Sequence, residues 1–251
     1  MSEINYHKIV WDGEKIKRFW DYETKIRENQ DVWFSKLFSD GIWNFSKKHL
    51  KDKSDFTIFD YGAGRGFFIE AVMQNSSKLK GAVGEYSSEG LAELTERFKD
   101  EKRVLGAYDL RETPNNEIKE GTYDAAFLIE VIEHLDDHFL DTTLTELSRI
   151  IKPGGTVIVT TPFNEDLVSN EVCCPDCGCI FHRVQHMRSW NIETISEAMG
   201  KYGFESKVVT NTNFFIYKNG DFKMNVKNFI RRNFLYNMIK RNHLIYIGTK
   251  K

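Results

Sequence analysis

Short apolar segments with the character of β-strands alternate with helical segments along most of this chain, from residue 57 to residue 247. Two of the helical segments, 139–151 and 192–202, carry apolar side chains at the spacing of one helix face. The predicted strands are 57–61, 82–85, 104–108, 125–129, 156–160, 206–209 and 244–247. Strands that alternate with helices form a largely parallel sheet with helices on both faces. We therefore predict one doubly wound α/β domain.

The composition excludes several other classes of protein. A chain of 251 residues with 41% hydrophobic and 29% charged residues is neither disordered nor fibrous. It has no apolar run close to the roughly 20 residues that a membrane span requires. The first residues also lack the apolar stretch of a secretory signal. These observations predict a cytoplasmic protein without a membrane span.

A glycine-rich loop with the sequence GAGRG follows the first predicted strand. Glycines at this point permit a tight turn whose backbone can approach a ligand before a helix begins. The spacing G-x-G-x-G differs from the G-x-G-x-x-G pattern of dinucleotide sites, and the carboxylate of Asp60 directly before the loop disfavours a pyrophosphate. The loop therefore predicts a site for a ligand with cationic character.

Acidic residues lie at the carboxyl ends of the next three predicted strands. Glu85 ends the second strand, Asp109 follows the third and Glu130 follows the fourth. The carboxyl ends of parallel strands face one crevice, which is where open α/β sheets bind ligands. A carboxylate at the position of Glu85 can bind the hydroxyls of a ribose. The pattern predicts a ribose-bearing ligand at this edge of the sheet.

This ordered set of motifs resembles the class I S-adenosylmethionine-dependent methyltransferases over residues 55–210 and a terminal strand at 243–249. The resemblance implies a Rossmann-like seven-stranded, mostly parallel sheet whose last strand is antiparallel. It also implies an enzyme that transfers the methyl group of S-adenosylmethionine. The cofactor-binding residues that it implies are Asp60, Tyr61, Gly62, Ala63 and Gly64, with Glu85 at the ribose, Tyr86 at the adenine ring, Asp109 and Leu110 at the adenine edge, and Glu130.

A second motif, EVIEHL, follows the fourth predicted strand. Glu130, Glu133 and His134 share one face if this segment is helical. The motif is similar to that of two metal-using groups, the ubiquinone-pathway O-methyltransferases and the small-RNA 3′-end 2′-O-methyltransferases. The second group adds a histidine four residues ahead of a tryptophan, which is the spacing of His186 and Trp190. The resemblance implies a divalent ion, Mg²⁺, Mn²⁺ or Zn²⁺, held by Glu130, Glu133, His134 and His186.

The same residues leave two mechanisms open. A metal lowers the pKa of a coordinated alcohol and so makes it a nucleophile near neutral pH. Without a metal, Glu133, His134 or His186 is the candidate general base. Both mechanisms make Glu133, His134 and His186 the predicted catalytic residues.

Four cysteines lie within seven residues: Cys173, Cys174, Cys177 and Cys179. Cys174 and Cys177 form a C-P-x-C-G knuckle, a turn that presents two thiolates to one Zn²⁺. With His182 and His186 the spacing becomes C-x2-C-x4-H-x3-H, so two predicted metal sites compete for His186. The alternative is free thiols that line a substrate loop. The segment 174–190 is similar to an insertion in methyltransferases of bacterial cell-surface glycan pathways.

The N-terminal 50 residues carry ten aromatic residues, including Trp11, Trp20, Trp33 and Trp43. We expect short amphipathic helices there that either pack on the main domain or close over the site as a lid. The predicted organisation is therefore a helical lid at 1–50 and a methyltransferase domain at 51–251. Two insertions interrupt that domain, a Cys/His segment at 170–187 and a basic helical segment at 222–242.

Residues 222–251, which comprise the basic segment and the last predicted strand, hold eight Lys or Arg and no Asp or Glu, in a chain with a net charge of −2. Three interpretations stay open for the basic segment. It is a solvated face over a packed apolar stripe, a site for a phosphate or nucleotide diphosphate of the substrate, or a surface that contacts anionic lipid.

These observations and the resemblance predict an S-adenosylmethionine-dependent O-methyltransferase acting on a small or carrier-linked hydroxyl compound, such as a sugar or a phosphate-bearing intermediate of surface glycan assembly. One alternative is an RNA 2′-O-methyltransferase, although the chain has no recognisable RNA-binding module and we expect no nucleic-acid partner. Another is a non-catalytic cofactor-binding subunit, against which the intact Glu130, Glu133 and His134 argue.

Overall fold

The computed structural model describes residues 5–26, 34–51 and 55–251, and a seven-stranded sheet forms its centre. Its strands are β2 (Thr57–Tyr61), β3 (Lys80–Glu85), β4 (Val104–Asp109), β5 (Tyr123–Ile129), β6 (Ile151–Pro162), β9 (Phe204–Thr212) and β10 (His243–Lys250). Across the sheet they lie in the order β4-β3-β2-β5-β6-β10-β9. Only β10 runs antiparallel to its neighbours. The structure confirms the seven predicted strands and the antiparallel last strand.

Helices cover both faces of this sheet, as predicted. They are α1 (Gly13–Ile26), α2 (Phe34–Ser46), α3 (Phe67–Asn75), α4 (Ser88–Phe98), α5 (Asp137–Ile150), α6 (Ile192–Lys201) and α7 (Phe222–Asn233). One core lies under α2, α3 and α4, and a second core lies under α5 and α6. Every residue of β5 is buried, which is the pattern of a central strand covered on both sides.

Side-chain caps fix the starts of the two helices that follow the site-bearing strands. Ser87 accepts a hydrogen bond from the Gly90 backbone N–H (3.2 Å) at the start of α4. Asp136 accepts one from the Phe139 N–H (2.7 Å) at the start of α5. Each cap satisfies an N–H group that has no partner within its helix, so the strand-to-helix connections have defined ends.

A small second sheet, which the sequence analysis did not predict, contains β1 (His7–Lys8), β7 (Glu171–Cys173) and β8 (Cys179–His182) in the order β1-β8-β7. The strands β7 and β8 form an antiparallel hairpin that carries the cysteines. The His7 N–H donates to the Gly178 carbonyl (3.1 Å), which pairs β1 with the hairpin. The start of the chain is therefore tied to the predicted Cys/His insertion.

The predicted lid region has two parts with different surroundings. In α2, Ile42 and Trp43 belong to the core, and a Cβ atom on Gly41 would lie 2.2 Å from the Phe214 carbonyl oxygen. In α1, Ile16 and Trp20 instead line the ligand cavity described below. Trp33 lies outside the described residues. The structure thus places α1 over the cavity and packs α2 into the main domain.

The predicted basic helix is present as α7, but its apolar side chains are not packed. Asn228 is the buried residue of this helix, while Phe229 is 55% exposed. The packed apolar stripe, one of the three interpretations of this segment, is therefore absent from α7. None of the helices that the structure describes is long and apolar enough to cross a bilayer.

Candidate active site

A cavity of about 350 Å³ lies at the carboxyl ends of the strands β2 to β5. Its walls come mainly from the loops that follow these strands and from α1 and α5, and Phe34 at the start of α2 also lines it. This is the edge of the sheet at which the sequence predicts a ligand site.

The glycine-rich loop forms one wall of this cavity. Gly62, Gly64 and Gly66 have φ angles of +74°, +55° and +75°, a region that side-chain-bearing residues rarely adopt. A Cβ atom on Gly62 would lie 2.7 Å from a methyl carbon of Val131. The loop therefore needs glycine both for its turn from β2 into α3 and for its close contact with the opposite wall.

Glu85 holds this loop against the end of β3. Its carboxylate accepts hydrogen bonds from the backbone N–H groups of Gly64 (2.7 Å), Tyr86 (2.9 Å) and Ser87 (3.0 Å). Burial raises the pKa of Glu85, although these three donors favour the ionised form. A carboxylate can accept about four hydrogen bonds, so Glu85 retains capacity for a ligand hydroxyl.

The neighbouring carboxyl group of Asp60 is almost completely buried, and one of its oxygens has no hydrogen-bond partner among the described residues. Burial, together with the negative charge of Glu85, raises the pKa of Asp60 to about 8. Burial and this neighbouring charge thus favour the neutral acid. A cationic ligand would stabilise the carboxylate.

All but one of the predicted cofactor residues line the cavity. They are Asp60, Tyr61, Gly62, Ala63, Gly64, Glu85, Tyr86, Leu110 and Glu130. Asp109 does not line it, because Arg111 holds its carboxylate through hydrogen bonds from Nε to both oxygens (2.9 and 3.0 Å). The sequence placed Asp109 correctly at a strand end but could not show that a residue two positions later pairs with it.

Glu133, His134 and His186 line the same cavity as the glycine-rich loop. Each of them offers a ligand atom, and the three atoms lie within 4.8 Å of one another. The Glu133 carboxyl group is 1% exposed, and neither oxygen has a hydrogen-bond partner among the described residues. Burial, reinforced by the nearby charge of Glu130, raises the pKa of Glu133 well above its usual value. The three residues form a candidate metal or proton-transfer site.

The structure does not bring the fourth predicted metal ligand, Glu130, into this group. The motif forms a 3₁₀ turn at Ile132–His134, and Glu130 precedes it with a φ angle of +50° instead of lying on the same helical face. One Glu130 oxygen lies 3.9 Å from Nδ1 of His243, and burial raises the pKa of Glu130 to about 8. Glu130 therefore lines the cavity beside the cluster but stands apart from its ligand atoms.

Gln185, which the sequence analysis did not identify, connects α1 to this cluster. Its side chain accepts a hydrogen bond from the Trp20 indole N–H (2.9 Å) and donates one to the His134 carbonyl oxygen (2.9 Å). The Trp20 ring also packs edge-on against the His134 ring, with centroids 4.8 Å apart. Burial, with a smaller effect from His186, lowers the pKa of His134 to about 3, so this imidazole is neutral near pH 7.

Glu165 is a second site residue that the sequence analysis missed. It binds Nδ1 of His186 through a short hydrogen bond, and its other oxygen lies 3.5 Å from Nε2 of His182. The His182 and His186 rings stack with centroids 4.6 Å apart, and these two histidines with Glu165 form a second group of ligand atoms within 4.8 Å. Glu165 follows the end of β6. The expectation that acidic residues after parallel strands lie near the ligand site therefore also applied to Glu165.

Cys174 and Cys177 lie in the turn of the β7–β8 hairpin, while Cys173 ends β7 and Cys179 begins β8. The Cys174 N–H donates to the Cys179 carbonyl (2.8 Å), and the Gly178 N–H donates to the Cys174 carbonyl (2.9 Å). His182 and His186 point to Glu165 instead, and within the described ranges no cysteine joins a group of three metal-binding side chains. The predicted set of Cys174, Cys177 and His182 is therefore not assembled, and zinc binding by the thiols stays a prediction.

Comparisons with known proteins agree with this geometry. A family model described as a methyltransferase domain matches residues 27–209. The chain is 24% identical over 164 residues to the ubiquinone biosynthesis O-methyltransferase of Pseudomonas paraeruginosa, covering 64% of this chain and 65% of that protein. The chain spans less than two thirds of the length of the curated relatives that it matches.

Solved structures share the fold. A chain of the complex between the Trm112 methyltransferase activator of Haloferax volcanii and a putative methyltransferase gives a TM-score of 0.60 at 17% identity, covering 93% of this chain and 96% of that chain. The phosphoethanolamine N-methyltransferase 2 of Haemonchus contortus, solved with S-adenosylmethionine, gives 0.56 at 19% identity, covering 92% and 60%. At these identities the likeness concerns the fold alone.

Proposed function

This chain belongs to the class I S-adenosylmethionine-dependent methyltransferases, and on that basis we propose that it methylates a hydroxyl oxygen of a small or carrier-linked compound. The observation that carries the proposal is the convergence of Glu133, His134 and His186 on the cavity that contains the glycine-rich loop. One cavity can then hold the methyl donor and the group that activates the acceptor.

The cofactor half of the cavity is assigned from its lining residues. Gly62 and Gly64 bring the backbone close to the methionine end, and the Asp60 carboxylate is the nearby anion for its positive charge. Glu85 accepts hydroxyl groups of the ribose, while Tyr86 and Leu110 contact the adenine. These assignments are consistent with the burial of Asp60 and with the unused acceptor capacity of Glu85.

The acceptor half contains a buried carboxyl group that needs a partner. Leaving a buried carboxylate unpaired is costly, and Glu133 has no hydrogen-bond donor among the described residues. One carboxylate oxygen and two imidazole nitrogens suit a divalent ion such as Mn²⁺ or Zn²⁺, so these residues fit a metal. When bound, such an ion would lower the pKa of an acceptor hydroxyl.

His186 lies between two carboxyl groups, one at each ring nitrogen. Glu165 binds Nδ1, and Nε2 lies 4.0 Å from an oxygen of Glu133. Glu165 therefore orients the ring so that Nε2 points toward the cavity. In the transfer, the acceptor hydroxyl gives its proton to the basic group while its oxygen bonds to the methyl carbon. The bond from this carbon to the sulfonium sulfur breaks in the same step, and the cofactor leaves as the neutral thioether S-adenosylhomocysteine.

The α1 helix completes the proposed site as a lid. Ile16 and Trp20 line the cavity, and Trp20 covers the edge of His134. Water excluded from this end cannot compete with the acceptor for the activating group. The proposed lid is therefore α1.

The acceptor class is a further part of the proposal. The similarity to a ubiquinone-pathway O-methyltransferase supports oxygen as the acceptor atom, and the Cys/His segment suggests a phosphate-bearing intermediate of surface glycan assembly. RNA is the alternative acceptor. A non-catalytic cofactor-binding subunit of a methyltransferase complex is the second candidate. The solved complex of a methyltransferase with the Trm112 activator is compatible with a protein partner for this chain.

The test measures S-adenosylhomocysteine formation with a panel of hydroxylated sugar phosphates, catechols and structured RNA. We expect turnover with a small hydroxyl compound, and Glu133→Gln should lower kcat at least about 100-fold without changing cofactor affinity. Glu197→Gln, in an exposed ion pair with Lys201, is the matched control. Turnover of RNA alone, methylation at nitrogen or sulfur, or a fully active Glu133→Gln variant contradicts the proposal.

Chelation separates the two mechanisms. Activity lost in EDTA and restored by Mg²⁺, Mn²⁺ or Zn²⁺ supports a metal at Glu133, His134 and His186. Full activity in EDTA excludes a required metal and leaves His186 as the general base.

A further inference from the structure

We propose that the protein docks onto anionic lipid bilayers through a basic apolar surface, which consists of residues 222–241. This surface contains α7 and the 3₁₀ turn at Tyr236–Met238. Docking through this surface does not require methyl transfer. The proposal therefore concerns the location of the protein and not its chemistry.

Large apolar side chains are exposed over this whole surface. They are Phe222, Met224, Val226, Phe229, Ile230, Phe234, Leu235 and Met238. Phe222 and Met238 are each 82% exposed, and Phe234 is 75% exposed. Monomeric proteins rarely leave so many large apolar side chains together in water unless the patch binds something.

The helix is oriented with its polar side toward the protein. The Asn228 side chain donates to the carbonyl oxygens of Phe215 (3.3 Å) and Lys218 (3.2 Å), and Arg232 donates to that of Ile216 (2.8 Å). Phe222, Val226, Phe229 and Ile230 lie at positions i, i+4, i+7 and i+8, so they form one stripe. By helical geometry this stripe faces away from Asn228. An ordinary surface helix buries such a stripe, whereas α7 presents it to solvent.

The charge of the surface identifies the partner. The residues Lys223, Lys227, Arg231, Arg232, Lys240 and Arg241 are its cations, and it contains no Asp or Glu. In the ion pairs of the described chain none of these cations takes part. If two copies of this surface met, their positive charges would repel each other. An anionic lipid surface instead offers negative headgroups to the cations and an acyl boundary to the stripe.

The surface is also connected to the active-site cavity. Phe215, which is half-exposed beside α7, packs against Phe38 with ring centroids 4.5 Å apart. Phe38 packs against Phe34 at the same centroid distance, and Phe34 lines the cavity. A bilayer docked here lies two ring contacts from the cavity wall. If the proposed function holds, an acceptor carried by a lipid approaches the site from this side.

The test is flotation of the purified full-length protein with phosphatidylcholine vesicles that contain 30% phosphatidylglycerol, compared with vesicles of phosphatidylcholine alone. We expect binding only to the anionic vesicles and weaker binding at high salt, because salt screens exposed charges. Lys223→Gln/Lys227→Gln and Phe222→Ser/Phe229→Ser should each weaken binding at least about tenfold. These side chains are exposed, so both variants should keep cofactor affinity and thermal stability.

Lys201→Gln/Lys207→Gln is the control with the same change in charge, on residues that pair with Glu197 and Glu205. It should bind vesicles like the wild type. Absence of binding to anionic vesicles overturns the proposal, as does a self-association in solution that the Phe222→Ser/Phe229→Ser variant abolishes. Binding that depends on the lysines but not on the phenylalanines also overturns it, because a phosphate contact alone would explain that result. None of these readouts depends on activity, so the proposed function can fail separately.

Discussion

The buried carboxyl group of Asp60 makes cofactor binding dependent on pH. Its pKa of about 8 in the free protein means that it holds a proton near neutral pH. A positively charged ligand in the cavity favours the carboxylate and lowers this pKa, so binding releases a proton. Affinity for S-adenosylmethionine should therefore weaken as pH falls below about 8, by up to about tenfold per pH unit.

Isothermal titration at pH 6, 7 and 8, in buffers of different ionisation enthalpy, measures both the affinity and the released proton. The cofactor's own amino group titrates near pH 8 and contributes to the slope, so Asp60→Asn is the required control. In this variant the part of the pH dependence of cofactor affinity that comes from Asp60 should vanish. Equal slopes in the two proteins would show that Asp60 does not titrate with the ligand.

Individual residues differ in how far the sequence predicts them. Gly62 and Glu85 were predictable because a loop and a strand end fix their backbone positions. The pairing of Asp109 with Arg111 was not, because it depends on a rotamer choice. Gln185 sits in its position through contacts with Trp20 and His134, which are far away in the sequence.

Among the elements, α1 is the proposed lid, because its Ile16 and Trp20 line the cavity. Replacing Trp20 by Ala removes both its ring contact with His134 and its hydrogen bond to Gln185. We expect about a tenfold loss in kcat/KM for the acceptor, because the site is then open to water. Trp20→Phe keeps a ring at this position and should lose less.

Tyr22→Ala is the control on the same helix, since Tyr22 is 61% exposed and does not line the cavity. Steady-state kinetics with saturating cofactor gives the comparison. A Trp20→Ala variant as active as Tyr22→Ala would leave α1 without a role as a lid.

The β7–β8 hairpin carries the prediction about zinc. Its turn holds Cys174 and Cys177, and the backbone N–H groups of Cys177 and Asp176 lower the pKa of the Cys174 thiol. A lowered thiol pKa favours the thiolate, which is the form that binds Zn²⁺. Protein purified without added metal should contain close to one zinc, and Cys174→Ser/Cys177→Ser should lose it.

Elemental analysis by mass spectrometry makes this measurement, with Cys173→Ser as the control. Cys173 pairs in register with Ile180 on the neighbouring strand and lies outside the knuckle. Negligible zinc in the wild type, or zinc retained by the double variant, would leave the cysteines as free thiols.

Strands and helices were predicted correctly where the sequence pattern extends over several residues. They were missed where the segment is too short to show a pattern. The strands of the large sheet are apolar runs between helical segments, so their alternation appears in the sequence. The strand His7–Lys8 has two residues and therefore no period, and only its hydrogen bonds to β8 define it. The apolar positions of α7 correctly predicted a helix. They did not predict which face packs on the protein, because the buried residue is the polar Asn228.

At the scale of the whole molecule, the cavity joins parts that are distant in sequence. The glycine-rich loop comes from the first half of the sheet, while Gln185 and His186 come from the segment that follows β8. A ligand that contacts these walls binds the folded chain and not the unfolded one. Ligand binding therefore adds directly to the free energy of unfolding.

This coupling gives a measurement of cofactor binding that needs no acceptor. S-adenosylmethionine at 100 times its Kd should add about 2.7 kcal/mol to the free energy of unfolding. For a domain of this size that corresponds to a rise in Tm of roughly 5 to 10 °C.

Gly62→Val should remove this rise, because the φ angle of +74° strains any side chain and the new Cβ would lie 2.7 Å from Val131. The variant is also expected to have a lower Tm without ligand, so each protein is compared with its own ligand-free value in differential scanning calorimetry. Gly200→Ala is the matched control, since Gly200 has no heavy atom within 4 Å of an added Cβ and does not line the cavity. It should show the full rise in Tm. If Gly62→Val shows it as well, the glycine-rich loop does not contact the cofactor, and the ligand must be bound by another wall of the cavity.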